Sequence, residues 1–550
     1  MTFALVGDIL YMILDILGDE RDYNSLFQCS ISSRCFTEHS LAVLYKLYNE
    51  SPVRSGGSED EQFRTRRAAT TLPNPRREGD VATRKWALMW RSIVLSTLDQ
   101  TYLPYYSYTR FIDYDDLLGL LVSPGFSGKI KDDFFTPELV AFLDSTYEPK
   151  GSKRLRSSKI SGDSNQIVLT LCSEIVKKAA SIRGVSCNVS SSALIDWLDQ
   201  LPLLQDMTIW SGASLMPHAA DKIRNNCPDF KKLTIYQWED SLSSDVEVDS
   251  ETFFNGLRPN TLEFFQTISC SQLGPRSIKA LGTQLGSITE LKLTSLTSET
   301  IAEMPSLTEP PCLRILVLTD SIPSIRNEKY YSIVTRLAEW IRSCKALRHL
   351  ELRRFLDDPL LLSNVLADDK LRLSTLSLSS YNMTGSGAFH EALAFQNSLQ
   401  SLTLRGEANE FPTDNDLLVN TICNLNNLRE LELKDISDCF TLDNVMSLTP
   451  FLPKLERLWI SGDYFNDAAW SAFICFPNLQ SLSISALSEF TAEGILNFIS
   501  QLGPTNKGFS LSILNSVSET NITEEAQNLI REAMKASLDG SFDFGLALGI

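Results

Sequence analysis

The chain has 550 residues, and its 50 lysines and arginines against 68 aspartates and glutamates give a formal net charge of −18. This acidic balance argues against a nucleic-acid-binding body, because displacing phosphate counterions requires a clustered basic face. No run of about 18 uncharged apolar residues occurs in the sequence, so we expect no membrane span. We expect a cytoplasmic or nuclear protein with reduced cysteines, because thiols such as Cys172, Cys344, Cys423 and Cys475 lie singly in apolar segments.

Residues 1–48 predict a small all-α domain. Five apolar side chains fall on one face of an amphipathic helix: Leu5, Ile9, Leu10, Ile13 and Leu17. Gly18 follows where a helix C-cap is favoured, and apolar clusters around Leu26 and Phe36 predict two further short helices. A unit of this length is marginal as an independent core, so we expect it to depend on a partner.

Three segments connect this domain to the rest of the chain. Residues 49–83 are rich in Ser, Gly, Pro and charge, which predicts a flexible linker. Residues 84–147 predict a helical connecting region, whose aromatic residues, such as Trp86 and Trp90, should attach it to the first repeats. Residues 148–164 predict a second flexible insertion. Each flexible segment contains a short basic stretch, which we interpret as solvated linker, with a nuclear-import signal as the alternative.

A six-residue pattern, apolar-x-x-apolar-x-apolar, returns through the last two thirds of the chain. Clear copies start at Leu204, Phe230, Ile288, Leu313, Leu347, Leu373, Leu399, Leu428, Leu455 and Leu479, and degenerate copies start near Leu262 and Phe509. From Ile288 onward the clear copies start 24 to 34 residues apart, near the length of one strand plus one helix. The pattern is typical of leucine-rich repeats and predicts an α/β leucine-rich-repeat solenoid, or horseshoe, over residues 165–522.

Residues 523–550 predict a C-terminal capping helix followed by an apolar tail. Thr523 is favoured as the helix N-cap, and Glu524 and Glu525 suit its first turn. The tail contains Phe542, Phe544, Leu546, Leu548 and Ile550. We interpret it as padding for the open end of the repeats, with a docking or binding tail as the alternative.

The sequence offers little catalytic chemistry. Its four histidines, at 39, 218, 349 and 390, include no pair at the i, i+4 spacing of a helical metal site, so we expect no metal or other cofactor and no enzyme. Gly162, Asp163 and Ser164 resemble the nucleophile block of one esterase family, but they lie in a Ser/Lys-rich segment rather than on a strand-to-helix turn. A hydrolase built around Ser164 is therefore a rival hypothesis that we disfavour.

The repeat strands offer a better site. The leucines of each copy must face the core, so the residues that alternate with them line the other face of the strands. We predict a substrate-binding face at Trp210, Tyr236, Trp238, His349, Glu351, Arg353, Arg405, Arg457 and Trp459, because exposed Trp, Tyr and Arg dominate binding hot spots. Three of these residues, Arg353, Arg405 and Arg457, would suit a phosphate group. A merely solvated sheet face is the alternative for any single residue.

The N-terminal residues resemble an F-box. The matching segments are Ala4 to Leu10, Ile13 to Asp19, Leu26 to Ser30 and Ser33 to Phe36, closing at Leu44 and Tyr45. The resemblance covers about 45 residues, and the connecting region is similar to that of filamentous-fungal F-box/leucine-rich-repeat proteins. Val6 stands where the family has proline, and no tryptophan stands at Cys35 or Phe36.

The resemblance implies a substrate-recognition subunit of an SCF-type (cullin) ubiquitin ligase, itself non-catalytic. It implies binding to a Skp-type adaptor, and through it to a cullin scaffold, by Leu5, Ile9, Leu10, Ile13, Leu17, Leu26, Cys29 and Phe36. The repeat face would bind an unidentified protein substrate. A leucine-rich-repeat scaffold that no longer engages a ligase is the alternative, because the departures at Val6 and at the missing tryptophan permit it.

Overall fold

The computed structural model describes residues 7–19, 22–46, 75–146, 163–240, 245–320, 328–357, 359–367, 371–383, 385–406, 415–436, 440–516 and 522–546. The chain divides into two compact units. The first unit comprises Met1–Asp245 and Thr252–Leu262, and the second comprises Val246–Glu251 and Glu263–Ile550. The division falls inside the single repeat stretch, 165–522, that the sequence predicts.

The first unit begins with a three-helix domain and continues with helices and short parallel strands. Its helices are α1 (Gly7–Asp19), α2 (Tyr23–Ser32), α3 (Arg34–Leu44), α4 (Pro75–Thr97), α5 (Tyr114–Val122), α6 (Gly128–Phe134), α7 (Pro137–Thr146), α8 (Ser164–Lys178), α9 (Ser191–Leu198) and α10 (Ala219–Asn226). Its strands are β1 (Phe111–Asp113), β2 (Gly184–Cys187), β3 (Asp206–Ser211) and β4 (Lys232–Gln237). Each strand pairs in parallel with the next along the chain.

One helix of the first unit begins outside the segments in which the sequence predicts helices, and one strand lies outside the predicted repeat segment. Helix α4 begins at Pro75, inside the predicted linker. Strands β1 and β2 precede the first clear copy of the repeat pattern at Leu204. The segment ending in β2 does fit the pattern, with buried Ile182, Val185 and Cys187, but it contains no leucine. Strand β1, which pairs with β2, lies inside the predicted connecting region, so the parallel sheet begins there.

Helix α11 (Val246–Gly256) contains residues of both units, and all later elements belong to the second. The remaining helices are α12 (Pro275–Leu281), α13 (Ser298–Glu303), α14 (Glu328–Ser343), α15 (Pro359–Leu366), α16 (Gly387–Leu393), α17 (Asn415–Ile422), α18 (Leu442–Leu448), α19 (Trp470–Phe473), α20 (Ala492–Gln501) and α21 (Glu524–Leu538). The remaining strands are β5 (Phe264–Thr267), β6 (Glu290–Leu296), β7 (Ile315–Asp320), β8 (His349–Arg353), β9 (Thr375–Tyr381), β10 (Ser401–Gly406), β11 (Glu430–Lys434), β12 (Arg457–Asn466), β13 (Ser481–Glu489), β14 (Ser510–Ser516) and β15 (Ser541–Leu546).

The strands of the second unit are in register, so that equivalent leucines form continuous buried rows. Leu350, Leu376, Leu402 and Leu431 are successive partners across β8 to β11, and all four are buried. Each strand is followed by a helix and then by the next parallel strand. The predicted α/β leucine-rich-repeat architecture is confirmed, because the side chains that recur in the sequence are the ones that stack in the core.

Acidic side chains of one repeat cap helices of the next. The Asp467 carboxylate accepts hydrogen bonds from the backbone N–H of Thr491 (3.0 Å) and from its hydroxyl (2.5 Å), at the start of α20. The Glu247 carboxylate likewise accepts the backbone N–H of Arg276 (2.7 Å), in the first turn of α12. These bonds satisfy helix N–H groups that have no partner within their own helix, and they fix the stacking of neighbouring repeats.

The predicted apolar tail is a strand. Residues Ser541–Leu546 form β15, which pairs in parallel with β14, and Phe542 and Phe544 are buried. The alternation of Phe542, Asp543 and Phe544 suits a strand with one buried face. The tail therefore extends the sheet as a strand beside β14, a structure that the sequence pattern did not predict. Residues 547–550 lie outside the described residues.

The described cysteines are all free thiols: four are buried, four are exposed, and Cys29 and Cys423 are half-buried. Cys172, Cys187, Cys227 and Cys344 are buried, whereas Cys35, Cys270, Cys312 and Cys475 are exposed. Burial raises the pKa of the Cys187, Cys227 and Cys344 thiols to about 12 and raises that of Cys172 further. Cys475 is therefore not the buried hydrophobe that the sequence suggests.

We expect iodoacetamide at pH 8 to alkylate the four exposed cysteines of the native protein and to leave the four buried ones unmodified. Alkylation requires the thiolate, and burial both blocks access and suppresses ionisation. Mass-spectrometric mapping of the modified sites checks this prediction, with protein in urea as the control in which all eight should react. Native-state labelling of Cys344 at the rate of Cys475 would contradict the burial of Cys344.

Candidate binding surfaces

The three-helix domain α1–α3 has a small apolar core of its own. Leu10, Leu14, Leu26 and Val43 are buried in it. Leu17, Cys29 and Phe36 pack against that core and are partly buried. Of the eight predicted adaptor-binding residues, Leu10 and Leu26 therefore face inward and hold the helices together. Leu5 lies outside the described residues.

The outer face of α1 carries a continuous row of exposed apolar side chains. Ile9, Met12, Ile13 and Ile16 are between 44% and 65% exposed. Their spacing of i, i+3, i+4 and i+7 places them along one face of the helix, and we call this row the α1 stripe. On α2, Phe27 and Ile31 are also exposed, one turn apart.

The adaptor-binding residues predicted from the sequence include Ile9 and Ile13 of the α1 stripe but not Met12 or Ile16. A signal for them exists, because residues 9–17 are apolar at every position except Asp15. Such a helix has two apolar faces, and a small three-helix domain can bury one of them. The apolar side chains on the face that stays unburied are the ones available to a partner.

Aromatic side chains pack the three-helix domain against the elements that come after it in the first unit. The Tyr45 hydroxyl lies 2.9 Å from the Ser92 hydroxyl on α4, and the Tyr45 ring contacts that of Tyr105 at a centroid distance of 4.8 Å. The backbone N–H of Arg110, just before β1, donates to the carbonyl of Lys46 (3.0 Å). These contacts connect α1–α3 directly to the first strand of the repeats.

In the first unit, two predicted binding residues form one aromatic platform. The rings of Trp210, on β3, and Tyr236, on β4, stack with a centroid distance of 4.0 Å and an interplanar angle of 8°. Trp210 remains 39% exposed. Two flat rings side by side on a strand face offer a partner apolar contact area with little loss of conformational entropy.

Trp238 does not belong to this surface, which corrects the sequence prediction. Its side chain is fully buried and contacts the rings of Phe253 and Phe254. Strand β4 ends at Gln237, so the alternation that places Tyr236 outside no longer applies to the next residue. The indole instead fills the space left by the missing side chain of Gly212.

In the second unit, β8, β10 and β12 carry the other predicted binding residues. Glu351 accepts a hydrogen bond from Arg353 Nε (2.9 Å) and lies 3.9 Å from His349 Nε2. Burial alone would raise the pKa of the Glu351 carboxyl, but the interactions with His349 and Arg353 outweigh it and lower that pKa. Glu351 is thus a charged group that orients its two neighbours on the strand.

The three arginines that the sequence groups together do not form one site. Arg353 and Arg405 are exposed near the ends of their strands. Arg457 lies instead at the start of β12, opposite Glu430, with which it forms an ion pair. Next to it on the strand face, Trp459 lies under the Lys434 ammonium, which is 4.9 Å from the ring centroid. The phosphate site predicted from Arg353, Arg405 and Arg457 is therefore not assembled.

Ser164 does not have the surroundings of a nucleophile. It is the first residue of α8, and Asp163 is the N-cap whose side chain accepts the backbone N–H of Asn165 (3.1 Å).

Among the described residues, no group of three or more His, Cys, Asp or Glu side chains is arranged to hold a metal ion. In the same residues, no helix is both long and apolar enough to cross a membrane.

No protein-family model matches the chain, and no curated protein matches it. The solved structures that are similar to it include three at low sequence identity. The Rad7 and Elc1 complex from yeast is 16% identical, covers 78% of this chain and 94% of that chain, and has a TM-score of 0.43. The leucine-rich-repeat protein LegL7 from Legionella pneumophila is 16% identical, with 58% and 90% covered and a TM-score of 0.29. The TLR13–ssRNA13 complex is 14% identical, with 68% and 63% covered and a TM-score of 0.31. At these TM-scores the likenesses carry no argument about what this chain binds.

Proposed function

We propose that the protein is the substrate-recognition subunit of an SCF-type (cullin) ubiquitin ligase. The domain α1–α3 binds a Skp-type adaptor through the α1 stripe, and the strand face of the repeats binds a target protein. The observation that carries this proposal is the α1 stripe itself, four exposed apolar side chains on one face of a helix. A stripe of this kind on a small domain favours association with another protein, because removing apolar surface from water is favourable.

The residues of α1 divide between two tasks in this proposal. Leu10 and Leu14 hold the domain together from its inner face. Ile9, Met12, Ile13 and Ile16 supply contacts to the adaptor from its outer face. The F-box resemblance of the sequence supports a Skp-type adaptor as the partner, and α1, α2 and α3 contain most of the described residues that carry this resemblance.

The protein contributes proximity and no bond-making chemistry of its own. A target bound to the strand face is held near the conjugating enzyme that the adaptor and cullin recruit, which raises the effective concentration of its lysines. The platform of Trp210 and Tyr236 belongs to the same compact unit as α1–α3. The contacts of Tyr45 with Ser92 and Tyr105 fix the adaptor-binding domain within that unit.

Co-purification of the full chain with a Skp-type adaptor tests this function. We expect the wild type to retain the adaptor and Met12→Asp/Ile16→Asp to retain at least about tenfold less, because two carboxylates would be buried in the apolar contact. Both side chains are exposed, so the variant should fold. Arg34→Asp, at an exposed position of α3 outside the stripe, is the control that changes the net charge by the same amount.

The co-purification experiment has three informative outcomes. Loss in the stripe variant with retention in Arg34→Asp supports the ligase function. Equal loss in both variants would trace adaptor binding to charge and not to the stripe. If the wild type retains no adaptor, the protein is a repeat scaffold without a ligase, and the departures at Val6 and at the missing tryptophan give the reason.

A further inference from the structure

The strand register of the second unit brings three cations into one line. Arg353, Arg405 and Lys434 each follow a buried leucine near the carboxyl end of β8, β10 and β11. Those leucines, Leu352, Leu404 and Leu433, occupy one register row through β9. Arg405 and Lys434 are direct partners across the two neighbouring strands. We call these three residues the cationic row.

The positions beside the cationic row carry hydroxyl groups and no carboxylate. Arg353 pairs with Thr319 on β7. On β9, between Arg353 and Arg405, the residues that follow Leu378 are Ser379 and Ser380. On β12, the residue beyond the partner of Leu433 is Ser461, whose hydroxyl donates to the Leu433 carbonyl (3.1 Å).

Most carboxylates near the cationic row lie two or four positions before it along the strands. Glu351 is bonded to Arg353, Glu430 is paired with Arg457, and Glu432 precedes Lys434 by two residues. Asp435, which follows Lys434, has left the strand, with φ at +52° and its N–H donating to the Ser461 hydroxyl (2.8 Å). The carboxyl ends of β8 to β11 are therefore more cationic than the rest of this face.

Arg405 is the member of the row best placed to meet a partner. Its side chain is exposed, and within the described residues no ion pair holds it. In a chain of net charge −18, an arginine between two hydroxyl-bearing positions and a lysine is an uncommon local excess of positive charge. Such an excess favours an anionic partner and disfavours a basic one.

The spacing of the cations indicates what kind of anion they fit. Neighbouring strands lie about 4.8 Å apart, so Arg405 and Lys434 are about 5 Å apart at the backbone and Arg353 and Arg405 about 10 Å. Recognition of one phosphate brings two or more donors together on a single group. A row of cations spread over four strands instead fits several separate negative charges, each on its own side chain. An extended peptide places side chains of one face about 7 Å apart.

We propose that the target is held by an extended acidic segment that lies across β8 to β11, with its carboxylates on Arg353, Arg405 and Lys434. This inference rests on the proposed function, because only that function makes the bound protein a target. It adds the chemistry of the segment that is recognised. The cationic row lies wholly in the second unit, far along the chain from the three-helix domain. Peptide binding to it can therefore be tested without any adaptor.

Fluorescence anisotropy of a labelled peptide with the full-length protein at low salt tests the proposal. The probe is a peptide of alternating glutamate and serine, compared with the same peptide carrying glutamine for glutamate. We expect binding of the glutamate peptide and about tenfold weaker binding by Arg405→Ser/Lys434→Ser, because charge-assisted hydrogen bonds are lost. Arg429→Ser/Lys454→Ser is the matched control, since it removes two exposed cations of adjacent repeats that are bonded to Glu456 and Asn427 outside the predicted binding face, and it should stay within about twofold of wild type.

The outcomes separate this inference from the ligase function. Selective loss in the Arg405/Lys434 variant supports the cationic row whether or not the adaptor co-purifies. Equal weakening in both variants means that overall charge attracts the peptide, and it overturns the inference. Equal binding of the glutamine peptide overturns it too. Binding that requires phosphoserine in the glutamine peptide would replace the acidic segment by a phosphorylated one and would also overturn it.

Discussion

Replacing Asp116 by alanine should destabilise the first unit by about 3 kcal/mol. The Asp116 carboxylate is buried and accepts the indole N–H of Trp86 (2.8 Å) and of Trp90 (2.7 Å). It thereby joins α5 to α4, and alanine would leave both N–H groups without this acceptor. An unsatisfied buried donor costs about 1–3 kcal/mol, so losing the acceptor of the buried Trp90 and of the half-buried Trp86 makes this the largest stability effect that we expect.

Urea unfolding followed by circular dichroism measures this loss. Asp132→Ala, at an exposed position of α6, is the matched control and should change the free energy of unfolding by less than about 0.5 kcal/mol. Asp116→Asn keeps an acceptor oxygen and should lose less stability than Asp116→Ala. If Asp116→Ala proves as mild as Asp132→Ala, the two indole hydrogen bonds do not stabilise the unit.

Replacing Gly212 by alanine should cost about 2–3 kcal/mol. A Cβ at this position would lie 2.2 Å from Cδ2 and 2.3 Å from Cγ of Trp238. These atoms belong to a rigid ring that is fully buried against Phe253 and Phe254, so the ring cannot move away without disturbing the core. The clash is steric and does not arise from the conformation of the glycine backbone.

A double-mutant cycle identifies the cause. Trp238→Leu alone should destabilise the protein by leaving a cavity, but Gly212→Ala/Trp238→Leu should cost at least about 1 kcal/mol less than the sum of the single changes. Gly503→Ala is the control, because a Cβ there meets nothing within 4 Å. Additive single changes would show that the indole is not what excludes a side chain at 212.

The predicted binding residues show how much of the strand face can be inferred from the repeat pattern. The row of leucines fixed which strand residues face outward, and Trp210, Tyr236, Glu351, Arg405 and Trp459 do lie on the strand face. Their roles in binding stay predictions. Trp238 was misplaced because the sequence pattern does not reveal where β4 ends, and the alternation of faces stops with the strand.

In the three-helix domain, too, the sequence pattern alone does not show which side chains are exposed. Residues 9–17 are apolar on both faces of α1, so helical periodicity alone could not say which face packs on α2 and α3. Packing decides it: Leu10 and Leu14 are buried, while Met12 and Ile16 are exposed. The candidate adaptor surface is therefore a product of the tertiary structure as much as of the pattern.

By itself, the sequence determined the repeat architecture of this protein. Leucines at fixed offsets can be buried only if neighbouring strands stack in register, so a local pattern repeated many times has one global solution. Only the tertiary structure decided that Arg405 and Lys434 are neighbours, that residues 541–546 form a strand, and that Trp238 fills the space beside Gly212. Each of these depends on a partner about 25 or more residues away, and no local pattern encodes which distant residue arrives.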